Sequence, residues 1–125
     1  MTHDKRINIA IIEDEEYYLK GMTKYLSDKN KVNLSLYRSP DDFAVKFNKK
    51  GDADYFDYIL IDYHFGLFTS GEKQIAGYIR QFLYYRGKLI LWTMEDNENV
   101  IEIEHYDRCL SKNLFDLCNI VKIME

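Results

Sequence analysis

Cysteine is scarce in this 125-residue chain, which contains only Cys109 and Cys118. The two do not have the Cys-x-x-Cys spacing of redox or zinc motifs, and two cysteines are too few for a disulfide framework. Disulfides are also rare in proteins of the reducing cytoplasm. We therefore interpret both residues as reduced thiols in the core of a cytoplasmic protein.

Long hydrophobic runs and an excess of positive charge are also absent. No apolar run approaches the roughly 20 residues that a membrane-spanning helix needs. The apolar run after the short basic start, Ile7–Ile12, is interrupted by Asn8 and ends in acidic residues, so we do not expect a signal peptide. The net charge of −4 argues against non-specific nucleic-acid binding by this domain, although a partner or further domain could still bind DNA.

Internal repeats, low-complexity tracts and linkers are missing as well. Hydrophobic residues make up 46% of the chain and charged residues 30%, which is typical of a globular protein. We predict one domain, residues 1–125, that is long enough to bury a single core. Tyrosine is abundant, with 11 residues, and we expect these amphipathic rings to line the boundary of the core.

Five short apolar segments are predicted to be β-strands. The first is apolar almost throughout, which indicates a strand that is covered on both faces. The second alternates apolar and polar residues and is predicted to lie at an edge of the sheet. The five segments are Ile7–Ile12, Val32–Leu36, Tyr58–Ile61, Leu89–Trp92 and Arg108–Ser111.

Helical patterns follow each predicted strand, over residues 15–27, 40–47, 70–85, 95–105 and 113–124. Ser39 is predicted to cap the second helix, with Pro40, the only proline, at its first position. Gly87 is predicted to cap the end of the third helix. Alternating strands and helices indicate an α/β fold with a parallel sheet and right-handed crossovers.

Polar side chains stand at the C-terminal end of four predicted strands. The C-terminal ends of parallel strands meet at one edge of the sheet, where open α/β folds bind their ligands. Three carboxylates, one hydroxyl and one ammonium group at that edge can hold a divalent cation and a phosphoryl group. These residues are Glu13, Asp14, Asp62, Thr93 and Lys112.

The chain resembles the receiver domain of two-component response regulators over essentially its whole length. The matching positions are the acidic run Glu13-Asp14-Glu15, Asp62, Thr93, Lys112 and Gly71, which opens the third helix. The resemblance implies a flavodoxin-like (βα)5 doubly wound parallel sheet with strand order 2-1-3-4-5.

The same resemblance implies roles for the matched residues. Asp62 is expected to be the nucleophile that forms an aspartyl phosphate, with Thr93 and Lys112 contacting phosphoryl oxygens. Mg²⁺ is the expected cofactor, held by Glu13, Asp14, Asp62 and the backbone carbonyl of His64. We expect no enzymatic activity other than self-phosphorylation and autodephosphorylation.

The expected partner is a sensor histidine kinase or a histidine phosphotransfer protein, and the expected location is the cytoplasm. An output domain or partner protein outside this chain is also expected, whereas direct contact with nucleic acid or membrane is not. Homodimerisation through the fourth and fifth helices is left open. The chain ends after its last predicted helix, which fits both a single-domain regulator and a piece of a longer protein.

Departures from the family pattern keep a second interpretation open. Asn113 follows the lysine where the family usually has a cis proline, and Cys109 replaces the usual aromatic switch residue. Met94 follows Thr93, where a small residue is usual. A phosphorylation-independent, degenerate receiver that acts as a protein-interaction module is therefore the alternative. A Mg²⁺-dependent phosphohydrolase ranks last, because His64 stands where such enzymes usually have a second acid.

Overall fold

The computed structural model of the protein describes residues 6–26, 32–62, 75–93 and 105–111. Five parallel strands form one sheet in the order β2-β1-β3-β4-β5, which confirms the predicted fold class and strand order. The strands are β1 (Ile7–Ile12), β2 (Val32–Tyr37), β3 (Tyr58–Asp62), β4 (Lys88–Thr93) and β5 (Arg108–Ser111).

Three helices and one 3₁₀ turn lie in the described part of the chain. Helix α1 spans Glu16–Leu26, α2 spans Pro40–Lys46 and the 3₁₀ turn spans Asp52–Tyr55. Helix α3 covers residues 75–82, of which Tyr78–Phe82 are a π-helix. The helix predicted over 113–124 lies outside the described residues, as does the one over 95–105 apart from its last residue, His105, which is in a turn with φ of 81°. None of the described helices has the length and apolar character needed to cross a membrane.

The central strands are buried on both faces of the sheet, and their successive residues point to opposite sides. One face packs against α2, the 3₁₀ turn and α3, and its strand residues include Ala10, Ile12, Ile59, Ile61 and Leu89. The other face packs against Tyr18 of α1 and includes Ile9, Ile11, Leu60, Ile90 and Trp92. This arrangement explains why the central strands are apolar throughout.

Strand β2 and helix α2 form as their sequences predict. Strand β2 is an edge strand, and only its first residue, Val32, is fully buried. The Ser39 hydroxyl accepts a hydrogen bond from the Asp42 amide at 3.1 Å, and Pro40 occupies the first turn of α2. Phe43 anchors the helix in the core with no exposed surface.

The end of α3 differs from the prediction that Gly87 caps this helix. The helix ends at Phe82, and the left-handed position after it belongs to Tyr84, with φ of 57°. The Tyr85 amide then donates to the carbonyl of Ile79 at 3.0 Å and closes the helix end. The prediction for Gly87 was wrong because the helix ends at Phe82 and Tyr84, not a glycine, takes the left-handed position after it.

Gly87 instead makes room for a buried tyrosine. A Cβ atom at this position would overlap the ring of Tyr85, which is only 3% exposed. The Tyr85 hydroxyl donates to the carbonyl of Phe56 at 3.1 Å, with the carbonyl of Lys88 at 3.3 Å as a second acceptor. Burial raises the pKa of this phenol well above its ordinary value, so the hydroxyl remains a donor.

Arg80 joins α3 to the segments that lead into β4 and β5. Its guanidinium donates to the carbonyls of His105 at 3.0 Å, Tyr85 at 3.0 Å and Gly87 at 2.8 Å. It also pairs with Asp107 at 2.6 Å, and the same Asp107 oxygen accepts the Leu89 amide at 2.8 Å. One cation therefore satisfies three carbonyls and one carboxylate at the N-terminal edge of the sheet.

Gly87→Ala is expected to lower the free energy of unfolding by about 1–3 kcal/mol, because the added methyl group displaces the buried Tyr85 ring. Gly77→Ala is the matched control. Gly77 lies in helical conformation, and its nearest neighbour for a Cβ atom is 3.9 Å away. This control is expected to stabilise the protein by about 0.4–1 kcal/mol. Urea unfolding measures both changes, and equal effects of the two substitutions would contradict the steric role of Gly87.

Arg80→Met is expected to destabilise the protein by about 2–4 kcal/mol, because it leaves carbonyls and the Asp107 carboxylate without their shared donor. Arg86→Met removes an exposed cation from the segment between α3 and β4 and is expected to change stability by less than about 0.5 kcal/mol. Thermal and urea unfolding of the two variants test this difference. A small effect for Arg80→Met would show that water replaces the guanidinium at these carbonyls.

Candidate functional site

Three carboxylates meet at the C-terminal edge of the sheet. Glu13 and Asp14 directly follow β1, and Asp62 is the last residue of the neighbouring strand β3. Each of the three offers a carboxylate oxygen, and these oxygens lie within 4.8 Å of one another. Glu13 is fully buried and Asp62 is 3% exposed, whereas Asp14 faces solvent. The parallel pairing of β1 and β3 therefore produces the acidic cluster that the sequence predicts.

Backbone hydrogen bonds hold Glu13 in place. Its amide donates to the carbonyl of Tyr37 at 2.9 Å, which ties the end of β1 to the end of β2. Its Oε2 atom accepts the amides of Asp14 at 3.0 Å and Glu15 at 3.2 Å, directly before helix α1 begins at Glu16. Amide donors at a helix start stabilise negative charge. The Glu13 carboxylate is thus oriented before any cation binds.

The chemistry of this cluster fits a hard divalent cation. Buried carboxylates are stable only when they are paired, hydrogen-bonded or bound to a metal. Oxygen ligands suit Mg²⁺, Ca²⁺ and Mn²⁺, whereas zinc sites are usually rich in nitrogen and sulfur ligands. Because Asp14 is exposed, a hydrated cation in solvent can reach its carboxylate. Glu13, Asp14 and Asp62 are therefore the described residues that can hold such an ion.

Two aromatic side chains, Trp92 and Tyr18, pack next to the strand end that carries Asp62. In the sheet Asp62 is in register with Trp92 of β4, whose side chain is fully buried. The Tyr18 ring of α1 contacts Trp92 edge-to-face, with 5.8 Å between the ring centroids. Trp92 is the only tryptophan of the chain, so its fluorescence reports on the strand next to Asp62.

Of the other residues predicted for the site, the structure describes only the backbone of Thr93. Thr93 is the last residue of β4, at the same edge of the sheet as Asp62, and is in register with Ser111 of β5. Lys112 comes directly after Ser111, but Lys112 and His64 lie outside the described residues, as does Gly71. The roles of Thr93, Lys112 and the His64 carbonyl stay predictions.

The structure also adds a residue pair that the sequence analysis did not identify. Arg38, directly after β2, donates through Nη2 to Oε1 of Glu16, the first residue of α1. Glu16 is the main cause of a raised pKa of the Arg38 guanidinium, and the charges of Asp14 and Asp42 add to it. Arg38 and Glu16 are 22 positions apart, so no local sequence pattern indicates the pair.

Comparison by sequence gives no relatives, since no protein-family model and no curated protein matches the chain. Comparison with solved structures gives several proteins with a similar fold. A phosphorylated cyanobacterial phytochrome response regulator, RcpA, is 20% identical with a TM-score of 0.73, over 97% of this chain and 92% of that chain. The Mn²⁺-bound form of response regulator Rcp1 is 19% identical with a TM-score of 0.68, over 95% and 91% of the respective chains.

A response regulator from Thermotoga maritima is also similar, with 13% identity and a TM-score of 0.71 over 96% of this chain and 98% of that one. All three solved structures are covered almost completely, so the likeness extends over the whole domain. The shared strand order and the extent of the match lead to one conclusion. The described chain has the fold of response regulator receiver domains.

Proposed function

We propose that this chain is a receiver domain, residues 1–125, in which Asp62 accepts a phosphoryl group with the help of bound Mg²⁺. The donor is a sensor histidine kinase or a histidine phosphotransfer protein of the cytoplasm. One observation carries the proposal, namely the convergence of the Glu13, Asp14 and Asp62 carboxylates within 4.8 Å at the C-terminal edge of the sheet.

The proposed transfer is a displacement at phosphorus by a side chain that is already in position. An Asp62 carboxylate oxygen forms the new O–P bond while the bond from phosphorus to the donor imidazole breaks, and the imidazole leaves. When bound, the divalent cation neutralises the negative charge of the carboxylates and the phosphoryl oxygens. Positioning and charge neutralisation account for most of the catalysis of such transfers, so few protein groups are required.

The protein contributes the orientation of the acceptor. Asp62 pairs with Trp92 in the β3–β4 ladder, directly after Ile61 pairs with Ile12 of β1, and it is only 3% exposed. Thr93 and Lys112 are proposed to contact the phosphoryl oxygens. Support comes from the backbone of Thr93, which ends β4 at this edge, and from Ser111, which brings the chain to the same edge before Lys112.

The proposed output is a change of partner surface rather than turnover of a substrate. Phosphorylation of Asp62 replaces one carboxylate with a dianionic group, and a two-state domain needs only a few kcal/mol of differential interaction to shift its population. Self-phosphorylation and autodephosphorylation are the only reactions that we propose. The phosphorylated structure of RcpA, which is 20% identical, supports this proposal by analogy.

Incubation with Mg²⁺ and phosphoramidate is expected to add one phosphoryl group, about 80 Da, which intact-mass spectrometry detects. The adduct is expected to require Mg²⁺ and to be absent in Asp62→Asn, because the amide is a poor nucleophile. Asp54→Asn is the matched control, since Asp54 is exposed in the 3₁₀ turn and is not a member of the acidic cluster. It is expected to be labelled like the wild type.

Absence of an adduct on folded wild-type protein would overturn the phosphoacceptor proposal. The phosphorylation-independent interaction module would then be favoured. Labelling that persists in Asp62→Asn would show that another residue is the acceptor. Circular dichroism of each variant separates a lost acceptor from a lost fold.

Asp14→Asn is expected to affect stability in opposite directions with and without Mg²⁺. In EDTA it relieves repulsion within the cluster and is expected to raise the free energy of unfolding. At a Mg²⁺ concentration about 100 times the dissociation constant, the wild type is expected to gain about 2.7 kcal/mol, whereas the variant gains far less. Thermal unfolding in EDTA and in Mg²⁺ measures both effects. Equal Mg²⁺ stabilisation of the two proteins would exclude Asp14 as a ligand.

A further inference from the structure

An ion pair lies at the exposed side of the acidic cluster. Arg38 follows β2 and Glu16 begins α1, so the pair links the ends of two elements that flank the cluster. Both side chains remain accessible, with 59% of Arg38 and 54% of Glu16 exposed. Neither residue is among the three carboxylates that can hold the cation. The charge of each member of the pair can therefore influence the site.

The backbone fixes the position of this pair relative to the cluster. The residue before Arg38, Tyr37, accepts the amide of Glu13 at 2.9 Å. Glu16 is only two positions after Asp14, at the helix start that Glu13 helps to form. This contact between the ends of β1 and β2 fixes the backbone of Arg38 next to the cluster, and the ion pair with Glu16 orients its guanidinium.

The pKa of the Arg38 guanidinium is raised by more charges than that of its direct partner. Glu16 is the main cause, and the charges of Asp14 and of Asp42, in the first turn of α2, raise this pKa further. Lys20, one turn along α1, also acts on Glu16. Arg38 is thus a positive charge within electrostatic range of a predicted cation ligand, and Glu16 partly compensates for that charge.

We propose that the Arg38–Glu16 pair sets the affinity of the acidic site for its divalent cation. Arg38 opposes cation binding through its positive charge, and Glu16 favours it by neutralising Arg38 and holding the guanidinium in place. Both residues act through the cation ligands and do not bind the cation, so they tune the site. This inference rests on the proposed cation binding by Glu13, Asp14 and Asp62.

The two members of the pair are expected to have opposite effects when each is neutralised. In Arg38→Gln the cation meets less repulsion, and its dissociation constant is expected to fall about threefold at an ionic strength of about 0.01 M. In Glu16→Gln the uncompensated Arg38 repels the cation, and the constant is expected to rise about threefold. The double variant keeps the net charge of the pair and is expected to return close to the wild type.

Isothermal titration calorimetry with Mg²⁺ as the only added ligand measures these constants, and Trp92 fluorescence provides a second reading. Arg38→Lys keeps the charge and is expected to bind Mg²⁺ like the wild type. Lys88→Gln removes an exposed cation from the first residue of β4, at the opposite edge of the sheet, and is expected to have no effect. At about 0.15 M ionic strength the differences are expected to shrink below about twofold.

The outcomes separate this inference from the proposed function. If the wild type binds no Mg²⁺, the proposed metal site itself fails. If the wild type binds Mg²⁺ and Asp14→Asn does not, but Arg38→Gln and Glu16→Gln bind equally well, the tuning role is overturned while the site stands. If Arg38→Lys binds like Arg38→Gln, the effect does not come from charge, and the inference is likewise overturned.

Discussion

Mutual repulsion of three carboxylates at one sheet edge is the interaction on which the rest of this structure depends. Glu13, Asp14 and Asp62 are brought together by the pairing of two buried strands, and like charges this close oppose folding, most strongly for the buried Glu13 and Asp62. The fold counters this repulsion with the amides of Asp14 and Glu15, which donate to the Glu13 carboxylate, and the β1–β3 pairing fixes the backbone next to the cluster. Binding of the proposed divalent cation would relieve this repulsion, and the closeness of the carboxylates would then favour binding.

The two edges of the sheet carry different groups of charged side chains. The C-terminal edge gathers the acidic side chains, and the exposed Arg38–Glu16 pair lies beside them. The N-terminal edge is held by Arg80, whose guanidinium joins α3 to the segments before β4 and β5. This network and the carboxylates therefore lie at opposite edges of the sheet.

Sequence patterns predicted the elements whose signals are local. The apolar run of β1, the alternation in β2 and the Ser39 cap each depend on residues within a few positions, and all appear in the structure. Gly87 shows where such reasoning fails. A glycine after a helical pattern indicates a cap, but here the ring of Tyr85 occupies the space that a side chain would need. The close approach of Gly87 and the Tyr85 ring depends on how the ring is buried, which the neighbouring residues in the sequence do not indicate.

The sequence by itself determined the fold class, the strand order by resemblance, and the acidic residues that meet at one edge. It could do so because parallel strands place their C-terminal ends together whatever the details of packing. Only the tertiary structure decided that Arg80 joins two distant segments and that Arg38 reaches Glu16 beside the acidic cluster. The physical reason is the reach of long charged side chains, whose partners are set by spatial proximity and not by spacing along the chain.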